Sequence, residues 1–430
     1  MKNAINARDQ HGTRRTALRV VLGAALTAGA LFTAACSVGG GSQLSPGLAA
    51  PNDNEAPGRT SPSSGLRVKV ALLLPLSGTA QAAAVAKGMK QAAEMALFEL
   101  NNPGFELVVK DTKGTPDGAR AAATGAVADG AELILGPLYA RSVTPVAQVA
   151  RAANRPVIAF SNDRRVAGNG VYLMSFMADE EVNRIVSYAA SRGKRTFAAL
   201  VPENAYGNVM ATAFRNAVSR NAGSIAALEK YPVNSNGMLE PSQRLFKLVE
   251  ESADTGRPVD AIFLPGGPDT LPNLAPLIKY ANLEGANLAS QVKFLGSGGW
   301  DYPNLGRNTN LVGSWYPAPD PSGWRRFSEK FAQTFGAAPP RIATLTYDAV
   351  SVAIRLASAH PAGQRFTAAN ITRRSGFSGV DGAFRFAPDG PAEHKLAILE
   401  VQRFQPTVVD AAANGFTPGA QVSTGAISDR

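Results

Sequence analysis

The chain has 430 residues, 45% of them hydrophobic, and a formal net charge of +10 at pH 7. Its single cysteine excludes an internal disulfide framework, and its three histidines do not stand at metal-ligand spacing. The basic doublets lack interleaved aromatic residues, which argues against a nucleic-acid surface. We therefore expect no metal, no organic cofactor and no nucleic-acid partner.

Residues 1–36 are organised like an export signal. Residues 1–19 hold five basic side chains and one acid, and an apolar run of 16 residues follows from Val20 to Ala35. That run is shorter than the roughly 18–20 residues of a membrane-spanning helix. It ends at Cys36 and resembles a bacterial lipobox, with Thr33 where leucine or valine is usual. We predict a lipoprotein signal with the lipid attached at Cys36; an ordinary cleaved signal is the alternative.

Two further segments lack the apolar side chains that a core requires. Residues 37–65 are rich in glycine, proline and small polar residues, which predicts a flexible tether. Residues 407–430 are rich in Ala, Gly, Ser and Thr with weak periodicity, which predicts a loosely ordered tail.

Between these segments, short apolar runs alternate with amphipathic stretches. The predicted strands are 67–74, 106–110, 132–135, 157–160, 196–201, 225–231, 259–264 and 292–295. The best-defined predicted helices are 79–100, 116–129 and 142–153. Strands joined through helices need crossover connections, which give parallel sheets. The pattern predicts an α/β fold in which parallel sheets are flanked by helices.

Polar and glycine-bearing loops follow the predicted strands in both halves of the chain. Ligands of open α/β sheets bind beyond the carboxyl ends of the strands, where helix N-termini present free N–H groups. The candidate ligand-binding residues in these loops are Ser77, Gly78, Tyr139, Arg141, Ser142, Ser161, Asn162, Asp163, Glu203, Tyr206, Gly266 and Asp269.

An amino-acid ligand would need one anchor for its carboxylate and another for its ammonium group. Hydroxyls and N–H groups suited to the carboxylate occur at Ser77, Gly78, Ser142 and Ser161. Ser161 is the strongest of these because it directly follows a buried strand, although a cap or turn is the alternative for Ser161 and for Ser77. The ammonium could pair with any of three acids at strand ends, namely Asp163, Glu203 and Asp269.

Several motifs occur in a fixed order along the chain. They are Leu74-Pro75-Leu76-Ser77-Gly78, Asp111, Gly130-Ala131-Glu132, Gly136-Pro137, Pro156-Val157-Ile158, Tyr206-Gly207, Tyr347-Asp348, Gly379–Phe386 and Asp389-Gly390. In this order they resemble the type I periplasmic-binding family, and its leucine/isoleucine/valine-binding branch in particular.

The resemblance implies a two-lobed fold, each lobe a parallel sheet flanked by helices, in which the chain crosses between lobes three times. It implies an N-lobe of residues 66–176 and 317–381 and a C-lobe of residues 177–316 and 382–406. The crossings are expected near Phe176, Tyr316 and Asp381. In such a fold Tyr139 and Tyr206 would cover a ligand from opposite lobes, with packing at the rim as the alternative for each, and Arg141 and Arg164 would line the N-lobe rim.

The resemblance implies a binding protein, and no catalytic motif in the sequence is complete. Ser191-Arg192-Gly193-Lys194 spells the serine–lysine motif of penicillin-recognising enzymes, but no Lys-Thr-Gly partner occurs. The first implied function is the solute-binding component of an ABC-type amino-acid transporter. Such a protein binds an amino acid, amide or short peptide and delivers it to an inner-membrane permease.

A second function is left open by the resemblance. The predicted anchor and Asp111–Pro116 are similar to the penicillin-binding-protein activator lipoproteins, which would imply regulation of peptidoglycan synthesis through contacts with a penicillin-binding protein. Those proteins carry a helical domain where this chain has only the predicted tether. Both functions imply a lipid-anchored protein in the periplasm, and Ser37 after the cysteine favours the outer membrane.

Overall fold

The computed structural model describes residues 67–234, 237–281 and 292–416. The predicted signal, Cys36 and the predicted tether all lie outside these ranges. Within them, no helix is both long and apolar enough to cross a bilayer.

The first sheet contains five parallel strands in the order β2-β1-β3-β4-β5. These strands are β1 (Val68–Leu74), β2 (Phe105–Asp111), β3 (Leu133–Leu135), β4 (Val157–Ala159) and β5 (Val171–Leu173). The helices between them are α1 (Ala80–Leu100), α2 (Pro116–Ala128) and α3 (Ala140–Ala152). Helices cover both faces of the sheet, which is why β1 is apolar at nearly every position.

The second sheet contains seven strands in the order β15-β14-β10-β9-β8-β6-β7. Its strands are β6 (Thr196–Pro202), β7 (Ser224–Tyr231), β8 (Ala261–Phe263), β9 (Lys293–Leu295), β10 (Trp315–Ala318), β14 (Ala397–Glu400) and β15 (Thr407–Asp410). Its helices are α4 (Ala178–Ser191), α5 (Ala205–Arg220), α6 (Leu239–Asp254) and α7 (Leu271–Ala281). The strands from β7 to β10 are parallel, whereas β14 and β15 run antiparallel at the edge.

After β10 the chain returns to the first sheet. The returning elements are α8 (Pro321–Phe335), α9 (Ala343–Ala359), α10 (Ala368–Ile371), β11 (Phe377–Gly379), β12 (Gly382–Phe386) and β13 (Ala392–His394). Strands β11 to β13 form a small antiparallel sheet. The apolar face of α9 and the aromatic rings of Phe384 and Phe386 share one core with α1 and the first sheet. We call this body the N-lobe and the body around the second sheet the C-lobe.

The chain passes between the lobes at residues 174–177, 319–320 and 395–396. Phe176 lies within the first passage, and Tyr316 lies in β10 just before the second. Asp381 lies in the turn between β11 and β12, so the predicted third boundary was placed too early. The reason is that Phe384 and Phe386, which follow it, are buried in the N-lobe core.

The predicted loose tail is wrong for its described part, residues 407–416. Strand β15 pairs with β14, and the Arg184 guanidinium binds the Asp410 carboxylate at 2.6 Å. The chain then returns to the N-lobe a further time, where Phe416 is only 9% exposed. The Phe416 ring lies 4.5 Å from the Arg385 guanidinium carbon and 4.3 Å from Lys395 Nζ. Residues 411–416, with Phe416 as their anchor, are called the C-terminal strap below.

Candidate functional site

Polar side chains of the N-lobe meet at the carboxyl ends of β1 and β2. Ser77 donates its backbone N–H to Asp111 Oδ1 at 3.2 Å and its hydroxyl to Asp111 Oδ2. Burial opposes ionisation of Asp111, but hydrogen bonds from Ser77 and Lys113 outweigh it and hold the pKa of Asp111 below its usual value. Thr79, not Ser77, caps α1. Ser77 therefore orders the loop after β1 and presents Gly78 at its tip.

The loop between β3 and α3 supplies the rim of the N-lobe. Arg141 donates through Nη2 to the Gly114 carbonyl oxygen at 2.9 Å, and its guanidinium carbon lies 5.0 Å from the centre of the Tyr139 ring. Ser142 is different, since its hydroxyl is buried and has no hydrogen-bond partner among the described residues. Tyr139 and Arg141 are thus available to a ligand at this edge, whereas Ser142 faces the interior.

The loop after β4 contains the next three predicted residues. Ser161 is buried, and its hydroxyl accepts the Asp163 N–H at 3.1 Å, which is the turn contact that was the alternative prediction. Asp163 binds Arg165 through both oxygens, at 2.9 and 2.7 Å, and these hydrogen bonds lower the pKa of Asp163. Asn162 is exposed. Asp163 is already neutralised by its neighbour, so it is a poor partner for a ligand ammonium.

In the C-lobe, residues from three loops converge. The Tyr206 hydroxyl lies 3.0 Å from Ser297 Oγ, and Ser297 Oγ lies 3.4 Å from both the N–H and the carbonyl oxygen of Gly266. Ser297 is fully buried, whereas Tyr206 is 38% exposed and so reaches from the loop into solvent. Burial raises the pKa of Tyr206, so its hydroxyl keeps its proton and can donate it.

Glu181 completes this group and was not predicted. It lies in the first turn of α4, and its Oε2 accepts the Gly298 N–H at 3.0 Å. A Cβ atom at position 298 would lie 2.5 Å from Glu181 Oε1, so a larger residue there would displace the carboxylate from this position. Burial raises the pKa of Glu181 to about 7. Sequence analysis did not single out Glu181 because acidic residues are common in the first turn of a helix, where they interact favourably with the helix dipole.

We call Glu181, Tyr206, Gly266, Ser297 and Gly298 the C-lobe polar cluster. The other two acids predicted at strand ends, Glu203 and Asp269, are exposed and form no ion pair among the described residues. Of the acids in this lobe, Glu181 is therefore the one that the fold brings to the hydroxyls of Tyr206 and Ser297.

Two arginines connect the lobes beside these clusters. Arg164 of the N-lobe binds Asp179 at 2.6 Å in α4 and Asp389 at 2.9 Å in its own lobe. Arg341 binds Asp381 at 2.9 Å in the N-lobe and Asp301 at 3.2 Å in the C-lobe. Across residues 67–234, 237–281 and 292–416, no group of His, Cys, Asp or Glu side chains could hold a metal ion.

The comparisons with known proteins agree with this architecture. Residues 67–406 match the family profile described as "Periplasmic binding protein". An uncharacterized protein of Rickettsia prowazekii is 25% identical over 220 residues, which are 50% of this chain and 58% of that protein. The match thus spans little more than half the length of that relative.

Three solved structures illustrate the likeness in fold. The branched-chain amino acid ABC transporter periplasmic ligand-binding protein of Burkholderia xenovorans has a TM-score of 0.63 at 15% identity, covering 81% of this chain and 96% of that one. A substrate-binding protein of Desulfitobacterium hafniense in complex with Leu has a TM-score of 0.58 at 18% identity, covering 80% and 99%. A leucine-binding protein of Thermotoga maritima has a TM-score of 0.53 at 20% identity, covering 82% and 99%. At these identities the likeness shows the fold.

Proposed function

This chain belongs to the periplasmic binding protein family, and on that premise we propose that it is the solute-binding component of an ABC-type transporter. Its ligand would be an amino acid or a closely related amide or peptide, held between the lobes without chemical change. The predicted signal and Cys36 would anchor it by lipid in the periplasm. Its partner would be an inner-membrane permease.

The C-lobe polar cluster is the observation that carries the proposal. A carboxylate beside the partly exposed Tyr206 hydroxyl gives an ammonium group one charged and one neutral acceptor, and the buried Ser297 hydroxyl holds Tyr206 in place. Because the pKa of Glu181 is about 7, a large fraction of its carboxylate is ionised at neutral pH. Burial deprives this carboxylate of hydrating water, so a ligand cation beside it would stabilise the charged form. The proposal assigns the ammonium of the ligand to Glu181, in place of the three acids predicted at strand ends.

The N-lobe supplies suitable partners for the opposite end of the ligand. The loops after β1, β3 and β4 precede α1, α3 and a turn, and they carry Gly78, Tyr139 and Ser161. Arg141 adds a cation at the same edge. A ligand carboxylate between these groups and an ammonium at Glu181 would link the two lobes, which is how binding would favour a closed form.

The experiment is a thermal-shift and calorimetric titration of the full chain in mild detergent with leucine, leucinamide and trileucine. A ligand at 100 times its dissociation constant should stabilise the protein by about 2.7 kcal/mol. Glu181→Gln should weaken binding of all three by about tenfold or more, because a charged hydrogen bond is lost. Glu203→Gln, which changes an exposed acid outside the cluster, is the matched control. Absence of binding by every compound, or equal binding by both variants, would contradict the proposal.

A further inference from the structure

A cavity of about 440 Å³ lies between the lobes. One wall is the N-terminal half of α8 with Arg341, from the N-lobe; the other is formed by residues 301–306, Tyr316 and residues 401–406, from the C-lobe. None of the predicted ligand residues and none of the C-lobe polar cluster lines it. Its volume falls within the roughly 300–1,000 Å³ of small-molecule sites in proteins.

Aromatic side chains dominate the walls of this cavity. Tyr302 and Tyr316 come from the C-lobe, Trp324 comes from α8, and Phe404 stands at the mouth with 93% of its surface exposed. Flat apolar faces of this kind suit a ligand that is itself a ring.

The buried charges in the walls are paired with one another, and the other cation that lines the cavity, Arg325, is exposed. Arg341 uses Nη1 and Nη2 on Asp381, at 3.0 and 2.9 Å, and Nε on Asp301 at 3.2 Å. Its guanidinium carbon also lies 4.9 Å from the centre of the Trp324 ring. Among the described residues, the buried part of the cavity therefore offers no free charge that would select an ion.

One hydroxyl in the walls, that of Tyr316, has no hydrogen-bond partner among the described residues. Tyr316 is only 2% exposed, and its hydroxyl makes no hydrogen bond to any described residue. Burial, with the nearby Asp301 carboxylate, raises the pKa of Tyr316, so the hydroxyl is a donor. The hydroxyl of this cavity-lining residue can therefore donate to a ligand in the cavity. The exposed side-chain amides of Asn304 and Gln405 also line the cavity and form part of its rim.

We propose that this cavity is a second ligand site, specific for a neutral, hydroxyl-rich ring compound, that is, a saccharide. The apolar face of a sugar ring stacks on Trp324 and Tyr302, its hydroxyls accept from Tyr316, and the amides at the rim pair with outward hydroxyls. Because both lobes contribute walls, the bound sugar fixes the angle between them. The site acts independently of the proposed amino-acid site.

The test is saturation-transfer NMR and calorimetry on the full chain with glucose, maltose and N-acetylglucosamine as probes. Tyr316→Phe removes only the hydroxyl and should weaken binding of the preferred sugar by about fivefold. Phe404→Ser removes the exposed ring at the mouth, and we expect a similar loss. Phe98→Ser is the matched control, since Phe98 is 84% exposed on α1 and does not line the cavity.

The outcomes separate this proposal from the amino-acid site. The second site is supported if Tyr316→Phe weakens sugar binding and Glu181→Gln leaves it unchanged. This holds whether or not the protein binds leucine. The proposal is overturned if none of the three sugars binds at millimolar concentration. It is overturned equally if they bind but Tyr316→Phe and Phe404→Ser bind them as tightly as Phe98→Ser does.

Discussion

Burial raises the pKa of Glu181 to about 7, so its charge changes close to neutral pH. Only the ionised carboxylate attracts an ammonium group. We therefore expect the affinity for leucine to fall as the pH drops below 7, by about tenfold per pH unit once the group is mostly protonated. Calorimetry between pH 5.5 and 8 measures the slope. In Glu181→Gln the slope should vanish; an unchanged slope in that variant would assign the titration to another group.

Glu180, the neighbouring residue, should control stability rather than binding. Burial raises its pKa from 4.5 to about 8, and its Oε2 accepts the His394 N–H at 3.1 Å. The folded state thus keeps a proton that the unfolded chain releases above pH 4.5. The stabilisation is complete below that pH and is lost as the pH rises through about 8.

Glu180→Gln keeps the hydrogen-bond acceptor but cannot ionise. Its melting temperature should fall less than that of the wild type between pH 5 and 8, so the variant becomes relatively more stable at the alkaline end. Circular-dichroism melts at several pH values measure this difference. Glu203→Gln, in an exposed position, should follow the wild-type curve. Parallel curves for Glu180→Gln and the wild type would refute a buried, protonated Glu180.

At the level of residues, sequence indicated Tyr206 and Gly266 because each follows a strand. Ser297 stands in such a loop too, but its glycine-rich surroundings give no sign that its hydroxyl is buried against Tyr206. Glu181 reaches the cluster only because α4 starts directly after the first passage between lobes. Such a contact joins positions far apart in sequence, and no local pattern encodes it.

At the level of elements, the docking of α4 on the loop after β9 depends on one glycine. Gly298→Ala places a methyl group 2.5 Å from Glu181 Oε1 and must displace the carboxylate. We expect a loss of about 1–2 kcal/mol in unfolding free energy together with weaker leucine binding. Gly415→Ala is a suitable control, because a Cβ atom there meets nothing within 4 Å. Chemical denaturation and calorimetry on both variants decide the matter; equal losses would mean that the close approach at position 298 is unimportant.

The elements that periodicity predicted are those long enough to show it. The 21 residues of α1 and the seven of β1 carry a clear pattern, and each predicted boundary lies within a residue of the observed one. The three-residue strands β3, β4, β8 and β9 were predicted from apolar runs and not from alternation, whereas β5 and β15, with three and four residues, were not predicted. In β15, Val408 and Val409 pack in different cores on the two faces of the sheet, which composition alone cannot reveal.

At the level of the whole molecule, the C-terminal strap adds a connection beyond the three passages that family resemblance implies. Strand β15 is fixed in the C-lobe through β14 and the Arg184–Asp410 ion pair. Phe416, six residues later, is held in the N-lobe between Arg385 and Lys395. So short a segment limits how far the lobes can separate, since a residue spans at most about 3.6 Å.

Phe416→Ser should release the strap while leaving both sheets intact. We expect a loss of about 2 kcal/mol in unfolding free energy, because a buried ring and two cation–π contacts disappear. Hydrogen exchange should become faster in β15, and the mean distance between spin labels on the two lobes should increase and broaden. Phe404→Ser is the matched control, because it removes an exposed ring from the neighbouring turn without touching the strap. If Phe416→Ser leaves the label distances as Phe404→Ser does, the lobes are restrained by the three passages and the Arg164 and Arg341 ion pairs alone.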